Sequence, residues 1–202
     1  MKTKVKGSGA FRATLLTALI SWASGANAFA SEPSAFSLDL GKGTGSVEFH
    51  AVGRPSALKI VGKGLAATGI IKFVKTKSSG AATFDLSTLN TGIDLRDKHM
   101  KEKYLEVGKF PKATLTLNSL SVSENFTGEK IPFQGMLMLH GVEQPVSGSA
   151  SLKKTGNQMT VVADFPVQLD AHGITIPSFA GITVAKEVNV TVTSTSPITQ
   201  SE

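Results

Sequence analysis

Residues 159–169, MTVVADFPVQL, indicate most directly how this chain folds. Apolar side chains occupy every second position of the stretch, namely Val161, Ala163, Phe165, Val167 and Leu169. Asp164 lies between two of them and belongs to the opposite face of an extended chain. Because successive side chains of a β-strand point to opposite faces, the alternation predicts a strand with one dry face and one solvated face.

The same alternation recurs after residue 36, in runs separated by clusters of Gly, Asn, Ser and Lys. Ten strands are predicted, at residues 36–40, 46–52, 57–61, 68–74, 82–86, 113–121, 131–139, 146–153, 159–169 and 187–194. Short strands at this spacing are typical of an antiparallel sandwich or barrel. Closing such a sheet buries the dry faces and removes the unpaired edges. We therefore expect an all-β fold, an antiparallel barrel of about eight strands, which is wide enough to hold one small ligand.

Residues 94–110, DLRDKHMKEKYLEVGKF, are the exception to this strand character. Met100, Tyr104 and Val107 fall at helical spacing, and Gly108 is a residue that commonly ends a helix. The segment predicts a short helix over one mouth of the barrel, for which Asp94 or Asp97 is the expected N-terminal cap.

The N-terminal residues have the pattern of a secretory signal peptide. Four basic residues precede an acid-free apolar run at 13–23, and the run ends at small residues. We expect cleavage after Ala28, with Ala30 as a second candidate, so that residues 1–28 are removed and 29–202 form a single domain in the periplasm. An uncleaved membrane anchor is the alternative, but the run is shorter than the roughly 20 residues that span a bilayer.

Charge and composition exclude several classes of function. The formal net charge is +6, and loss of residues 1–28 leaves 17 basic and 15 acidic residues, a net charge of +2. Such a balance lacks the concentrated basic surface of a nucleic-acid-binding protein. The chain has no cysteine, which excludes disulfides and thiol catalysis. A transmembrane barrel would carry girdles of aromatic residues, whereas the mature chain has one Tyr and no Trp, so we predict no membrane span.

Two blocks of sequence resemble the YceI-like family of exported lipid-binding proteins. In the first block the matching residues are Thr91, Gly92, Arg96, Asp97, His99, Met100, Tyr104, Leu105, Val107, Phe110 and Pro111. In the second, GMLMLHGVEQPVSGSASL, they are Leu137, Leu139, His140, Gly141, Val142, Pro145 and Val146. The resemblance covers roughly residues 36 to 193. The chain differs at LDAHGITIPSF, where the family often has an Arg-x-Asp-Phe-Gly turn.

This resemblance implies a lipocalin-like barrel with a helix near its opening and an elongated apolar pocket. The pocket would hold an isoprenoid, a quinone-like molecule or a fatty-acid derivative, so the expected partner is a small lipid. The family resemblance also makes a homodimer possible. It favours a binding or carrier protein over an enzyme, and we predict no catalytic residues and no cofactor. Two alternatives stay open, a stress-related interaction protein with no fixed ligand and a lipid-modifying barrel enzyme.

Candidate ligand-binding residues are the apolar side chains of the predicted inner face and two polar residues of the helix. The apolar candidates are Phe49, Phe73, Phe84, Leu86, Leu115, Leu117, Leu137, Leu139, Phe165 and Val167. For each of them, filling a closed core is the alternative to lining a pocket. Arg96 is expected either to bind a lipid head group through its guanidinium or to serve the structure. His99 is expected to tie the helix to the barrel or to form a polar contact at the mouth.

Neither a metal site nor a nucleotide site is predicted. His50, His99, His140 and His172 are dozens of residues apart, without the short spacing of metal-ligand pairs. Residues 62–67, GKGLAA, match the dinucleotide fingerprint in letters, but a predicted strand follows instead of a helix. We interpret these glycines as bends or bulges of a curved sheet.

Overall fold

The computed structural model describes residues 35–55, 58–123, 125–179 and 181–200. The predicted signal peptide and both cleavage sites lie outside the described residues. The described strands are β1 (Ala35–Asp39), β2 (Thr44–Arg54), β3 (Lys59–Leu65), β4 (Thr68–Val74), β5 (Lys77–Asp85), β6 (Lys112–Leu120), β7 (Gly128–Leu139), β8 (Val142–Thr155), β9 (Gln158–Gln168), β10 (Ser178–Phe179), β11 (Ile182–Val184) and β12 (Glu187–Gln200). The helix α1 (Asp94–His99) lies between β5 and β6. Every predicted strand overlaps an observed one.

Eight strands close into an antiparallel barrel. β1, β4, β5, β6, β7, β8, β9 and β12 are hydrogen-bonded neighbours in that order, and β1 pairs back onto β12. Closure pairs the backbone N–H and C=O groups of both edge strands, which an open sheet would leave exposed. The predicted all-β fold and the antiparallel barrel of about eight strands are confirmed.

At two positions of the barrel wall a second strand continues the first: β2 continues β1, and β3 continues β4. β1 pairs with the C-terminal part of β12, as in Leu38 with Ile198. After a 3₁₀ turn at Leu40–Lys42, β2 continues along the same β12, beginning at Thr44 with Thr195. β3 pairs with β2 as β4 pairs with β1. The barrel is therefore closed by β1 and β4 at one end, whereas β2 and β3 form the wall at the other end.

The end closed by β1 and β4 has a core of packed aromatic rings. The rings of Phe36 and Phe73 are stacked with their centroids 4.6 Å apart, and Phe126 meets Phe36 edge to face at 4.6 Å. Phe73 and Met159 are fully buried. Rings at these distances and angles stabilise one another beyond the burial of their surface. Aromatic packing therefore surrounds Phe73, and a second, smaller cavity of about 220 Å³ lies beside Phe36, Phe126 and Met159.

The helical segment is shorter than predicted and begins differently. Residues Asp94–His99 are α-helical, and Met100–Tyr104 continue as a single π-helical turn. The expected N-terminal cap is wrong, because Ile93 occupies that position without a side-chain hydrogen bond. Asp97 Oδ1 instead accepts hydrogen bonds from Thr91 N at 2.8 Å and from Thr91 Oγ1 at 2.5 Å. The carboxylate thus fastens the loop that leads into the helix.

The sequence patterns missed a small hairpin formed by β10 and β11. β11 pairs with the end of β2, through Val184 with Gly53 and Thr183 with Arg54. Strands of two and three residues are too short for alternation to identify them. β10 is the end of the stretch LDAHGITIPSF, which differs from the family pattern, and β11 follows it. The hairpin extends the barrel wall at the end formed by β2 and β3.

Candidate ligand-binding cavity

An apolar cavity of about 500 Å³ occupies the end of the barrel formed by β2 and β3. This volume lies within the range of roughly 300–1,000 Å³ that is usual for small-molecule sites. The polar or charged members of its lining are Asp85, Thr88, Thr91, Arg96, His99, Tyr104 and Ser178. All other lining residues are aliphatic, aromatic, glycine or proline. A ligand that fits this cavity must therefore be mainly hydrocarbon.

Most of the predicted ligand-binding residues are brought together around this cavity. The members of its lining are Phe49, Phe84, Leu86, Arg96, His99, Leu137, Leu139, Phe165 and Val167. Phe73, Leu115 and Leu117 are not part of this lining. Phe73 belongs to the aromatic core of the closed end, and Leu115 and Leu117 lie further along β6 than the lining residue Ala113. The ligand-binding role of all the candidate residues stays a prediction.

Several lining residues were missed by the sequence patterns. They come from β3, from the start of α1 and from the β10–β11 region, namely Leu58, Ile60, Leu65, Ile93, Leu95, Ile174, Pro177, Ile182 and Val184. Most of them lie in loops or very short elements, where no periodicity marks the inner side. Leu58 and Ile60, two residues apart in the predicted strand 57–61, are the ones that alternation could have identified.

A glycine makes room for an aromatic ring in the cavity wall. Gly62 on β3 is opposite Phe49 on β2 in a regular antiparallel register. A Cβ atom at Gly62 would lie 2.1 Å from Phe49 Cε1, closer than atoms can approach. The interpretation of Gly62 as a bulge is therefore wrong. The glycine is required because the ring of Phe49 lies across its backbone.

Arg96 is the cation of the cavity lining, and its guanidinium is held in place from one side. Its Nε donates to Thr91 Oγ1 and its Nη2 donates to Thr91 O, both at 2.8 Å. Among the described residues, no carboxylate forms an ion pair with it. Arginine has five N–H donors, so these two hydrogen bonds orient the group and leave donor capacity for an acceptor in the cavity.

Asp85 and Thr88, two further polar residues of the cavity lining, are held by local hydrogen bonds. Asp85 Oδ1 accepts hydrogen bonds from the backbone N and the hydroxyl of Ser87, which lower the pKa of Asp85. Thr88 Oγ1 donates to Asp85 O at 2.7 Å and accepts from Leu65 N at 3.1 Å. These groups hold the wall together and leave the interior apolar.

A hydrogen-bonded cluster fastens the segment after α1 to the barrel. His140, in the turn between β7 and β8, lies 2.9 Å from Glu106 Oε2 through Nε2 and 3.3 Å from His172 O through Nδ1. His172 Nδ1 in turn lies 3.0 Å from Val142 O. Glu106 also pairs with Lys109. The cluster joins three separate parts of the chain, which explains His140 and His172 as structural histidines.

The lowered pKa of Glu106 predicts that the protein loses stability in acid. A hydrogen bond from Lys109, and to a smaller extent one from His140, holds the pKa of Glu106 below its ordinary value of 4.5. A carboxylate with a lowered pKa stabilises the fold above that ordinary value, and the contribution is lost as the pH falls through the lowered pKa. We expect the melting temperature of the wild type to fall more steeply below about pH 4.5 than that of Glu106→Gln. Glu102→Gln is the control, and parallel curves for the wild type and Glu106→Gln would contradict the assignment.

Two further observations concern ions and membranes. Across the described ranges, no group of three His, Asp or Glu side chains is arranged to hold a metal ion. Within the same part of the chain, no helix has the length and apolar character needed to cross a bilayer.

A closed antiparallel barrel with an apolar cavity beneath a short helix is an architecture that can hold a small ligand. The model of the YceI-like domain matches residues 39–195, and the chain belongs to the YceI-like family. Protein YceI of Salmonella arizonae is 36% identical over 76 residues, which are 37% of this chain and 38% of that protein. Protein YceI of Salmonella newport matches equally. The aligned part of the chain thus spans well under half the length of these curated relatives.

Solved structures share the fold at low sequence identity. BcnA of Burkholderia cenocepacia has a TM-score of 0.63 and 18% identity, over 79% of this chain and 99% of BcnA. A polyisoprenoid binding domain from Saccharophagus degradans, implicated in plant cell wall breakdown, has a TM-score of 0.59 and 14% identity. That match covers 84% of this chain and all of the domain. At such identities the likeness establishes the barrel fold.

Proposed function

We infer that this protein binds an amphipathic lipid of the isoprenoid type inside the barrel and carries it through the periplasm. The observation that carries the proposal is the cavity of about 500 Å³ with an almost entirely apolar lining. A water-filled space of this kind is unfavourable unless an apolar ligand replaces the water. The polyisoprenoid binding domain with the same fold supports the choice of ligand class.

Binding of such a ligand requires no chemical step. Burial of each methylene contributes about 0.8 kcal/mol, so a chain of moderate length binds tightly by burial alone. The proposed contacts for the apolar chain are Phe49, Phe84, Leu86, Leu137, Leu139, Phe165 and Val167. The protein is therefore proposed to be a binding protein rather than an enzyme.

The polar end of the ligand is proposed to lie at Arg96 and His99. Both residues line the cavity, and Thr91 fixes the guanidinium of Arg96. A guanidinium without a carboxylate partner among the described residues favours a ligand oxygen as its acceptor. Carboxylate, phosphate and quinone oxygens all satisfy this requirement. The proposed periplasmic location is supported by the signal-peptide pattern of residues 1–28.

Arg96→Gln tests the position of the head group. We expect the variant to bind a fluorescent fatty-acid probe about tenfold more weakly, since a charge-assisted hydrogen bond contributes about 1.5–3 kcal/mol. Competition between a fatty acid and the alcohol of the same chain length measures the preference for the charged head, which the variant should lose. Lys98→Gln, in the same helix but outside the lining, is the matched control. Unchanged affinity and preference in Arg96→Gln would place the head group elsewhere.

A further inference from the structure

The mouth of the cavity carries a group of exposed aliphatic side chains. Leu65 at the end of β3 is 70% exposed, Ile93 is 52% exposed and Leu95 is 57% exposed. All three also belong to the cavity lining. We call these three residues the mouth rim. Clustered aliphatic side chains in water beside a binding cavity are a mark of an interaction surface.

Backbone hydrogen bonds hold the two parts of the mouth rim against each other. Lys63 N donates to Asn90 O and Asn90 N donates to Lys63 O, both at 2.8 Å. Leu65 N donates to Thr88 Oγ1 at 3.1 Å. These bonds fix the end of β3 beside the segment that leads to Ile93 and α1. The mouth rim is thus a preformed surface rather than the result of one mobile side chain.

The helical segment that carries the mouth rim residue Leu95 has both basic and acidic side chains. Its cations are Arg96, Lys98, Lys101 and Lys103, and its acids are Asp94, Asp97, Glu102 and Glu106. Asp97 is buried and bonded to Thr91, and Glu106 is paired with Lys109 and His140. Within the described chain, Lys98, Lys101 and Lys103 form no ion pair. Asp94 and Glu102 are exposed in the same segment. Four cations therefore face two acids outside the bonded carboxylates, and this excess of positive charge near the mouth is what an anionic partner would meet.

We propose that the mouth rim and the neighbouring lysines dock the barrel onto an anionic phospholipid bilayer, where the cavity takes up or releases its lipid. The proposal rests on the proposed lipid-binding function. Aliphatic side chains enter the boundary between head groups and acyl chains, and lysines near the surface attract anionic lipids. Since the mouth rim is continuous with the cavity lining, an apolar chain passes from bilayer to barrel without exposure to water.

Vesicle binding tests the aliphatic part of this surface. The mature protein should sediment with vesicles of phosphatidylcholine and phosphatidylglycerol, and more weakly with phosphatidylcholine alone or at high salt. We expect the double variant Leu65→Ser/Leu95→Ser to bind the mixed vesicles about tenfold more weakly. Ile70→Ser/Val74→Ser is the control, since both residues are 50% exposed on the outer face of β4 and outside the lining. Equal loss in both double variants would overturn the proposal.

Charge reversal separates docking from ligand binding. Lys98 and Lys101 are outside the cavity lining, so Lys98→Glu/Lys101→Glu should keep its affinity for a fluorescent fatty-acid probe. The same variant should bind mixed vesicles about tenfold more weakly and transfer the probe to them more slowly. Probe binding by the wild type without any vesicle association would overturn docking alone, whereas no probe binding would overturn the proposed function. A wild-type dimer that Leu65→Ser/Leu95→Ser converts to a monomer, by light scattering, would make the mouth rim a subunit interface and also overturn docking.

Discussion

Ala113→Trp is expected to abolish lipid binding while the barrel stays folded. Ala113 lies on β6 opposite Phe84 and belongs to the cavity lining. An indole at this position would occupy the space that we assign to the apolar chain of the ligand. Because the indole would enter the cavity rather than close-packed core, the substitution should cost less than the roughly 1–3 kcal/mol that is typical when a filled core is overpacked. Probe titration and thermal unfolding of the same samples measure the two effects.

Ala82→Trp is the matched control for this prediction. Ala82 is an equally small, buried residue on the inner face of the neighbouring β5, but it is not part of the lining. The same enlargement there should destabilise the protein strongly, because no vacant volume receives the ring. If the two variants lost the same stability, or if Ala113→Trp retained full probe affinity, the region beside Ala113 would not hold the ligand.

Phe73→Ala is expected to have the largest effect on stability. Phe73 is 1% exposed and stacks on Phe36 with a centroid distance of 4.6 Å, with Phe126 at 6.3 Å. Removal of a buried phenyl ring costs about 3–5 kcal/mol. For a domain of this size, we expect the melting temperature to fall by roughly 10 °C or more. Urea unfolding, with the midpoint and slope compared to the wild type, measures the loss.

Phe73→Leu provides a variant of the same site that keeps most of the packing. It should unfold at an intermediate urea concentration and retain the probe affinity of the wild type, because Phe73 lies outside the cavity lining. A large loss of probe affinity in the folded Phe73→Leu protein would mean that the ligand reaches the closed end of the barrel. That result would contradict the division into a packed end and a hollow end.

The alternation of apolar and polar side chains predicted the barrel, because it shows for each strand residue which face of the sheet the side chain lies on. In β9, Phe165 and Val167 face inward as their spacing requires, and both contact the cavity. Alternation specifies a face but gives no height along the barrel axis. Phe73 and Phe84 have the same inward pattern, yet Phe73 packs into the closed end and Phe84 lines the cavity. Their difference depends on where β1 and β4 close the wall, which is a property of long-range pairing.

The rest of the site depends on segments without a periodic signal. The mouth rim residue Leu95 belongs to a helix of six residues, too short for a periodic pattern to establish a buried side. Ile182 and Val184 enter the lining because β11 pairs with the end of β2. The spacing of residues 94–110 indicated a helix over the mouth, but Asp97 serves the Thr91 loop rather than the helix terminus. This hydrogen bond spans six residues, which is longer than the two- or three-residue spacing of an N-terminal cap, so the capping pattern did not indicate it.

The central claim is that the cavity at the β2–β3 end binds a lipid. The most direct measurement is native mass spectrometry of the wild type and Ala113→Trp, both isolated from the source organism, with organic extraction of the released molecule. The account predicts one lipid per wild-type chain and none in the variant. Wild-type protein without any extractable lipid, and without affinity for fatty-acid or isoprenoid probes added afterwards, would contradict it.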